Sequence, residues 1–197
     1  LHDTPRNGGV TGCPVHGPSP GPDSPLDSQR RPGTLGAMGV LSSIYSVPPA
    51  LMKKVRADHE KLGLVFGDEE TDDPAWKVER HEFDKTFEER LKILRSAGYK
   101  TMYVAFDFES PADDEPEYGG YDIRVAKPVR VKKIANEIAS VTLAELTKKG
   151  LANGCTDYDG KLIPESDYAS YLGDLEELKK FFAAAAAAGH FVIAAAI

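Results

Sequence analysis

The C-terminal stretch, residues 172–197, constrains the fold more than any other part of the sequence, because it reads as one helix followed by one apolar strand. Asp174 stands at the capping position. Glu176 and Glu177 fall in the first turn, where carboxylates meet the positive end of the helix macrodipole. Leu175, Leu178, Phe181 and Phe182 recur at i, i+3, i+6 and i+7, which makes one inward stripe. Alanines 183–188 continue with the strongest helix formers, and Gly189 supplies the stop. Residues 191–197, Phe-Val-Ile-Ala-Ala-Ala-Ile, are uncharged and lack a polar face, so they predict a strand covered on both sides. Its expected neighbour is the opening strand, residues 40–47.

The chain has 197 residues, enough for one domain with an appendage, and its 41% apolar content supports a full core. The net charge of −7 argues against a nucleic-acid groove, which needs a basic stripe, and against anionic membrane surfaces. No uncharged apolar run approaches the roughly 20 residues that span a bilayer. Nucleic acid and membrane are therefore not expected as partners. Cys13 and Cys155 are too few and too far apart for a disulfide framework. They read as free thiols of a reducing compartment, hence a cytoplasmic protein. The start lacks the basic-then-apolar pattern of a signal peptide.

Residues 1–37 are rich in Pro, Gly, Ser and Asp and carry almost no large apolar residues, which predicts a disordered tail. Met38-Gly39 reads as the native start, leaving residues 38–197 as the folded domain. Cys13 and His16 within the tail make at most half a zinc site, so no metal is expected. Past the first strand, Ser46-Val47-Pro48-Pro49 signals a helix that runs to Gly63. Phe83, Phe87, Leu91 and Leu94 predict a long helix over 78–97, with Glu88, Glu89, Arg90, Lys92 and Arg95 on its polar side. Residues 101–106 read as a strand and residues 109–120 as an acidic loop. Residues 121–125 read as an extended piece. Helices are expected over 129–140 and 143–149, the second opened by Thr142 with Glu145 three positions on. Residues 150–160 read as a loop and residues 165–172 as a short helical segment. Strands and helices do not alternate regularly. The expected fold class is therefore α+β, a single domain with a mixed sheet and packed helices.

Several of these positions carry a family resemblance. Gly119-Gly120-Tyr121-Asp122-Ile123-Arg124-Val125-Ala126-Lys127-Pro128, the helix 131–138 with Leu143-Ala144-Glu145-Leu146, and Leu162-Ile163-Pro164 contribute to it. So do Tyr171-Leu172 and the closing helix and strand. Met38-Gly39-Val40 contributes at the other end, as does Asp84-Lys85-Thr86-Phe87, with Phe87 where the similar pattern has Trp. Over residues 38–197 the chain resembles the YfbM-like family of bacterial domains of unknown function. The resemblance implies an α+β fold and a bacterial cytoplasmic setting, and it brings no catalytic residue with it.

The candidate site residues are His81, Asp84, Glu109 and Tyr121. On a helix, His81, Asp84 and Glu88 share a face through i, i+3 and i, i+4 spacing, the arrangement of an acid/base pair or half a metal site. Glu109 belongs to an acidic run with Asp107, Asp113, Asp114, Glu115 and Glu117, which lacks the central glycine of a calcium loop. Tyr121 groups with Tyr45, Tyr103, Tyr118 and Trp76 as either interface aromatics or core. The chain has no G-x-S-x-G, phosphate-loop, H-E-x-x-H or G-x-G-x-x-G motif, so no cofactor is expected. The expected function is binding, of immunity or adaptor type, through an acidic surface that meets a basic protein partner. The alternative is an enzyme whose site is assembled from scattered acidic, His and Tyr residues.

Overall fold

The computed structural model describes residues 42–67, 71–83, 86–106, 122–157 and 159–196. The expected tail 1–37 and acidic loop 109–120 lie outside the described residues, as do Asp84, Glu109 and Tyr121.

Four strands form the sheet of the described residues: β1 (Ser42–Val47), β2 (Glu79–Glu82), β3 (Asp122–Ala126) and β4 (Phe191–Ala196). Their order is β2-β1-β4-β3, and each neighbouring pair is antiparallel. The α+β class holds, but this sheet is antiparallel rather than mixed. The terminal strand β4 occupies an interior position between β1 and β3. Ile44 faces Ala194, and Ala126 faces Val192. An uncharged strand suits that position because neither of its faces meets water.

Among the described residues eight α-helices accompany the sheet: α1 (Pro49–Ala57), α2 (Leu62–Phe66), α3 (Phe87–Ser96), α4 (Lys100–Phe106), α5 (Pro128–Ile138), α6 (Leu143–Ala152), α7 (Tyr168–Tyr171) and α8 (Leu175–Ala188). They cover both sheet faces. Ile44, Ala126, Val192 and Ala194 join the larger core, with side chains from α3, α4, α5 and α8. Tyr45, Val47, Ile123, Ile193 and Ala195 turn the other way, onto α1, α2 and Trp76. Alternation along each strand thus divides the apolar residues between two cores.

Five local expectations change, one of them at Gly150 of α6. The first helix ends at Ala57 rather than at Gly63, which is buried inside the separate helix α2. The chain turns at Gly67, whose φ of 81° is one that L side chains rarely adopt. Ser46 is not a helix cap but a β1 residue, and its Oγ lies 2.9 Å from Nδ1 of His190. Residues 79–82 are not the start of a long helix. They pair with β1 from Ser43–Glu82 to Ser46–Glu79, and α3 begins only at Phe87. Phe83 and Phe87 still meet, with ring centroids 4.5 Å apart, so an apolar spacing of four residues survived the change of element. Residues 101–106 are helical, with Thr101, Met102, Ala105 and Phe106 buried. The amide and hydroxyl of Thr101 both donate to Glu137 of α5, the amide at 3.1 Å. That N-terminal partner comes from another helix and leaves no local sequence signal.

Other expectations stand in the structure. Val131, Ile134 and Ile138 of α5 are buried, and Thr142 accepts from the Glu145 amide at 3.2 Å. Helix α6 runs on through Gly150, which is buried rather than part of a loop. Gly189 ends α8 at φ 67°, and the stripe Leu175, Leu178, Phe181, Phe182 and Ala185 is buried. Tyr45 and Trp76 are core residues, and Cys155 is a buried free thiol.

Candidate functional site

His81 reaches its position through the register of β2. It pairs with Ile44, and cross-strand partners share a sheet face, so its ring points toward the larger core and the start of α8. There Oδ2 of Asp174 accepts a hydrogen bond from Nε2 of His81 at 2.8 Å. The same oxygen accepts from the Arg90 guanidinium. Arg90 also donates through Nε to the Tyr171 carbonyl at 2.5 Å. The three side chains are largely shielded, with Arg90 5% and Asp174 20% exposed. The cluster joins β2, α3, the α7 end and the N-cap of α8.

Aromatic rings close the cluster on its apolar side. The His81 ring meets Phe83 edge-on at 4.8 Å between centroids, and Phe181 lies at 6.2 Å. The Arg90 guanidinium sits 5.2 Å from the Phe83 centroid, within cation–π range. Burial alone would raise the Asp174 carboxyl, but the His81 hydrogen bond and the Arg90 charge outweigh it and hold the group below its ordinary value. Asp174 is therefore ionised near neutral pH and acts as the anion between two donors. It is the N-cap residue of α8 as expected, but its side chain makes no capping hydrogen bond and turns to His81 and Arg90 instead.

The bond to Asp174 engages Nε2 and fixes the orientation of the His81 ring. A carboxylate that orients an imidazole is half of a general-base arrangement. Here, however, the carboxylate is neutralised by a buried Arg on the same oxygen, which is the chemistry of a structural ion pair.

A second polar cluster joins α6 to the region after α3. Tyr99 donates its hydroxyl to Glu145 at 2.7 Å, and Lys149 meets the same carboxylate oxygen at 2.7 Å. Lys149 also donates to the Ala97 carbonyl at 3.2 Å. The Glu145 hydrogen bond is the main cause that raises the Tyr99 hydroxyl, and Lys149 that of lowering Glu145.

Of the sequence-derived candidates, the structure places His81 in a defined cluster. Glu88 lies on α3, not on the element that carries His81, and pairs with Lys92 at 4.0 Å. Asp84, Glu109 and Tyr121 lie outside the described residues. Arg90 and Glu89 are buried rather than on a solvated face. Sequence reasoning missed the partnership of His81 with Arg90 and Asp174, because 93 residues separate His81 from Asp174. Among the described residues, no group of three or more His, Cys, Asp and Glu side chains could hold a metal ion, and no helix is long and apolar enough to cross a membrane.

None of the curated proteins matches the chain. A protein of unknown function from Escherichia coli, YfbM, is similar in structure, with 11% identity and a TM-score of 0.49. The match covers 80% of this chain and 99% of that one. The model of the family described as Domain of unknown function (DUF1877) matches residues 38–195. The chain belongs to that family, as a YfbM-like domain of unknown function.

Proposed function

We propose that this protein is a small bacterial cytoplasmic binding protein, of immunity or adaptor type, whose acidic surface meets a basic protein partner. One observation carries the reading: the edge strand β2 is bordered by exposed acids. Asp72, Asp73, Glu79 and Glu82 are exposed there and outnumber Lys77 and Arg80. Among the described residues, no strand pairs with the outer side of β2. An open sheet edge offers backbone donors and acceptors to an extended segment, and its acids select a basic one. The overall charge of −7 steers the same class of partner.

The test is a photo-crosslinking residue at position 79 in the full chain, expressed in bacteria, with the captured protein then purified. The expected partner is basic, binds more weakly as salt rises, and loses at least tenfold in affinity to the Glu79→Lys/Glu82→Lys variant. A captured protein whose affinity ignores both salt and charge reversal, or no capture at all, rejects the reading.

The enzyme alternative rests on the 2.8 Å bond between His81 and Asp174. The sharing of Asp174 with Arg90 favours a structural role for that bond.

A further inference from the structure

Helix α5 carries the opposite charge from the rest of the chain. Residues 123–136 contain Arg124, Lys127, Arg130, Lys132 and Lys133 and no acid, and the one acid of α5, Glu137, is engaged by Thr101, in a protein whose acids outnumber its Lys and Arg by 31 to 24. Arg124 is held by the Ile123 carbonyl at 2.9 Å. Lys127, Arg130, Lys132 and Lys133 are all exposed, and their side chains have no ion pair or hydrogen-bond partner among the described residues.

The inward side of α5 is fully used, with Val131, Ile134 and Ile138 in the core. The helical period sets Val129, Lys132, Lys133 and Asn136 on the opposite side. All four are exposed, and Val129 is 84% exposed, the most exposed large apolar residue of the described chain. Lysine at i+3 and i+4 from Val129 places an apolar spot between two cations.

The placement is also unfavourable for the isolated helix. Lys127 is its N-cap residue and Arg130 lies in its first turn, at the positive end of the macrodipole, and no acid stands there to offset them. Lys127 makes no side-chain capping hydrogen bond. Two unpaired cations at the positive end of a helix, with Lys132 and Lys133 close behind them, oppose folding stability, and an anionic partner would relieve that repulsion.

We infer that the outward face of α5 is a docking surface for an acidic segment of a protein partner, with an aliphatic side chain of that segment resting on Val129. It is a second surface, independent of the sheet edge. A peptide fits better than the other polyanions. The helix is 11 residues long, about 16 Å at 1.5 Å per residue, and the acidic remainder of the chain repels an extended nucleic acid beyond it. Val129 is a single apolar residue, too little for an amphipathic helix that lies in a lipid surface.

The test uses the full chain and three probes: a fluorescent peptide of alternating Glu-Leu and Asp-Leu pairs, a single-stranded oligonucleotide, and vesicles of phosphatidylserine with phosphatidylcholine. The peptide should bind, and its affinity should fall as salt rises. It should lose at least tenfold to Lys132→Glu/Lys133→Glu and severalfold to Lys132→Gln/Lys133→Gln. The control Lys53→Glu/Lys148→Glu, which reverses two exposed cations on other helices, should change affinity less than twofold. Val129→Ser should weaken the peptide without changing its salt dependence. No peptide binding, equal loss in the control, or tighter binding to oligonucleotide or vesicles that the α5 variants remove would overturn the proposal.

Discussion

Nε2 of His81 and Oδ2 of Asp174 lie 2.8 Å apart across 93 residues of sequence, and this contact fastens the edge strand β2 to the start of the closing helix. Arg90 completes it from α3. Because Arg90 is the most buried of the three, the charge on Asp174 matters more to stability than the hydrogen bond to His81.

Asp174→Ala should therefore destabilise the domain by about 3 kcal/mol, since it leaves a buried guanidinium without its anion. His81→Ala should cost less. The folded-state pKa of Asp174 lies below that of an unfolded aspartate. Its contribution is then fully present above the unfolded value of about 3.9 and is lost as pH falls through the folded value. Denaturant titrations of the wild type and of Asp174→Asn should differ most near pH 7 and converge in acid. A difference that stayed constant down to acid pH would show that the carboxylate charge is not what holds the cluster.

Gly150 and Tyr168 make the tightest fit of the α6–α7 region. A Cβ at Gly150 would come within 2.5 Å of both Cε1 and the hydroxyl of Tyr168, whose ring is itself buried. Gly150→Ala should destabilise by about 1–3 kcal/mol through overpacking, although alanine is the better helix former. A gain in thermal midpoint would mean that the tyrosine ring moves aside freely.

The Tyr168 hydroxyl is buried with no hydrogen-bond partner among the described residues. Removing an unsatisfied polar atom while keeping the ring should be neutral or stabilising. Tyr168→Phe is therefore expected to unfold at the same denaturant concentration as the wild type or a higher one. A loss above about 1 kcal/mol would place a buried water or another acceptor at that oxygen.

Phe181 packs against Phe182 in an edge-on pair with centroids 5.5 Å apart, and it is 3% exposed. Phe181→Ala should cost roughly 3–5 kcal/mol. A loss below 1 kcal/mol would contradict the packing of α8 on the sheet.

Strand β4 bonds to β1 on one side and β3 on the other, from Ser42–Ala196 to Val47–Phe191 and from Asp122–Ala196 to Ala126–Val192. Truncation after Gly189 would open both neighbours and remove residues of both cores, so cooperative unfolding should disappear. In amide exchange on the intact chain, Val192 to Ala195 should rank among the slowest positions. Rapid exchange there would contradict an interior strand.

The closing helix and strand were legible in the sequence because each of their signals is local. The spacing of Leu175, Leu178, Phe181 and Phe182 selects one helical face, Gly189 provides the left-handed turn, and a strand without a polar side demands two covered faces. The same holds for the inward residues of α5 and for Thr142 at the start of α6. Only the tertiary structure decided residues 79–82 and 101–106. The first is a polar run whose strand state comes from backbone partners on β1, and the second is a β-rich run that is helical where Glu137 accepts from the Thr101 amide in its first turn. The candidate site divides the same way. His81 stood out by its chemistry, whereas its partners Asp174 and Arg90 look like an ordinary cap and an ordinary surface cation until packing brings them together. A long-range contact is set by which faces the whole chain must bury, and no window of neighbouring residues contains that information.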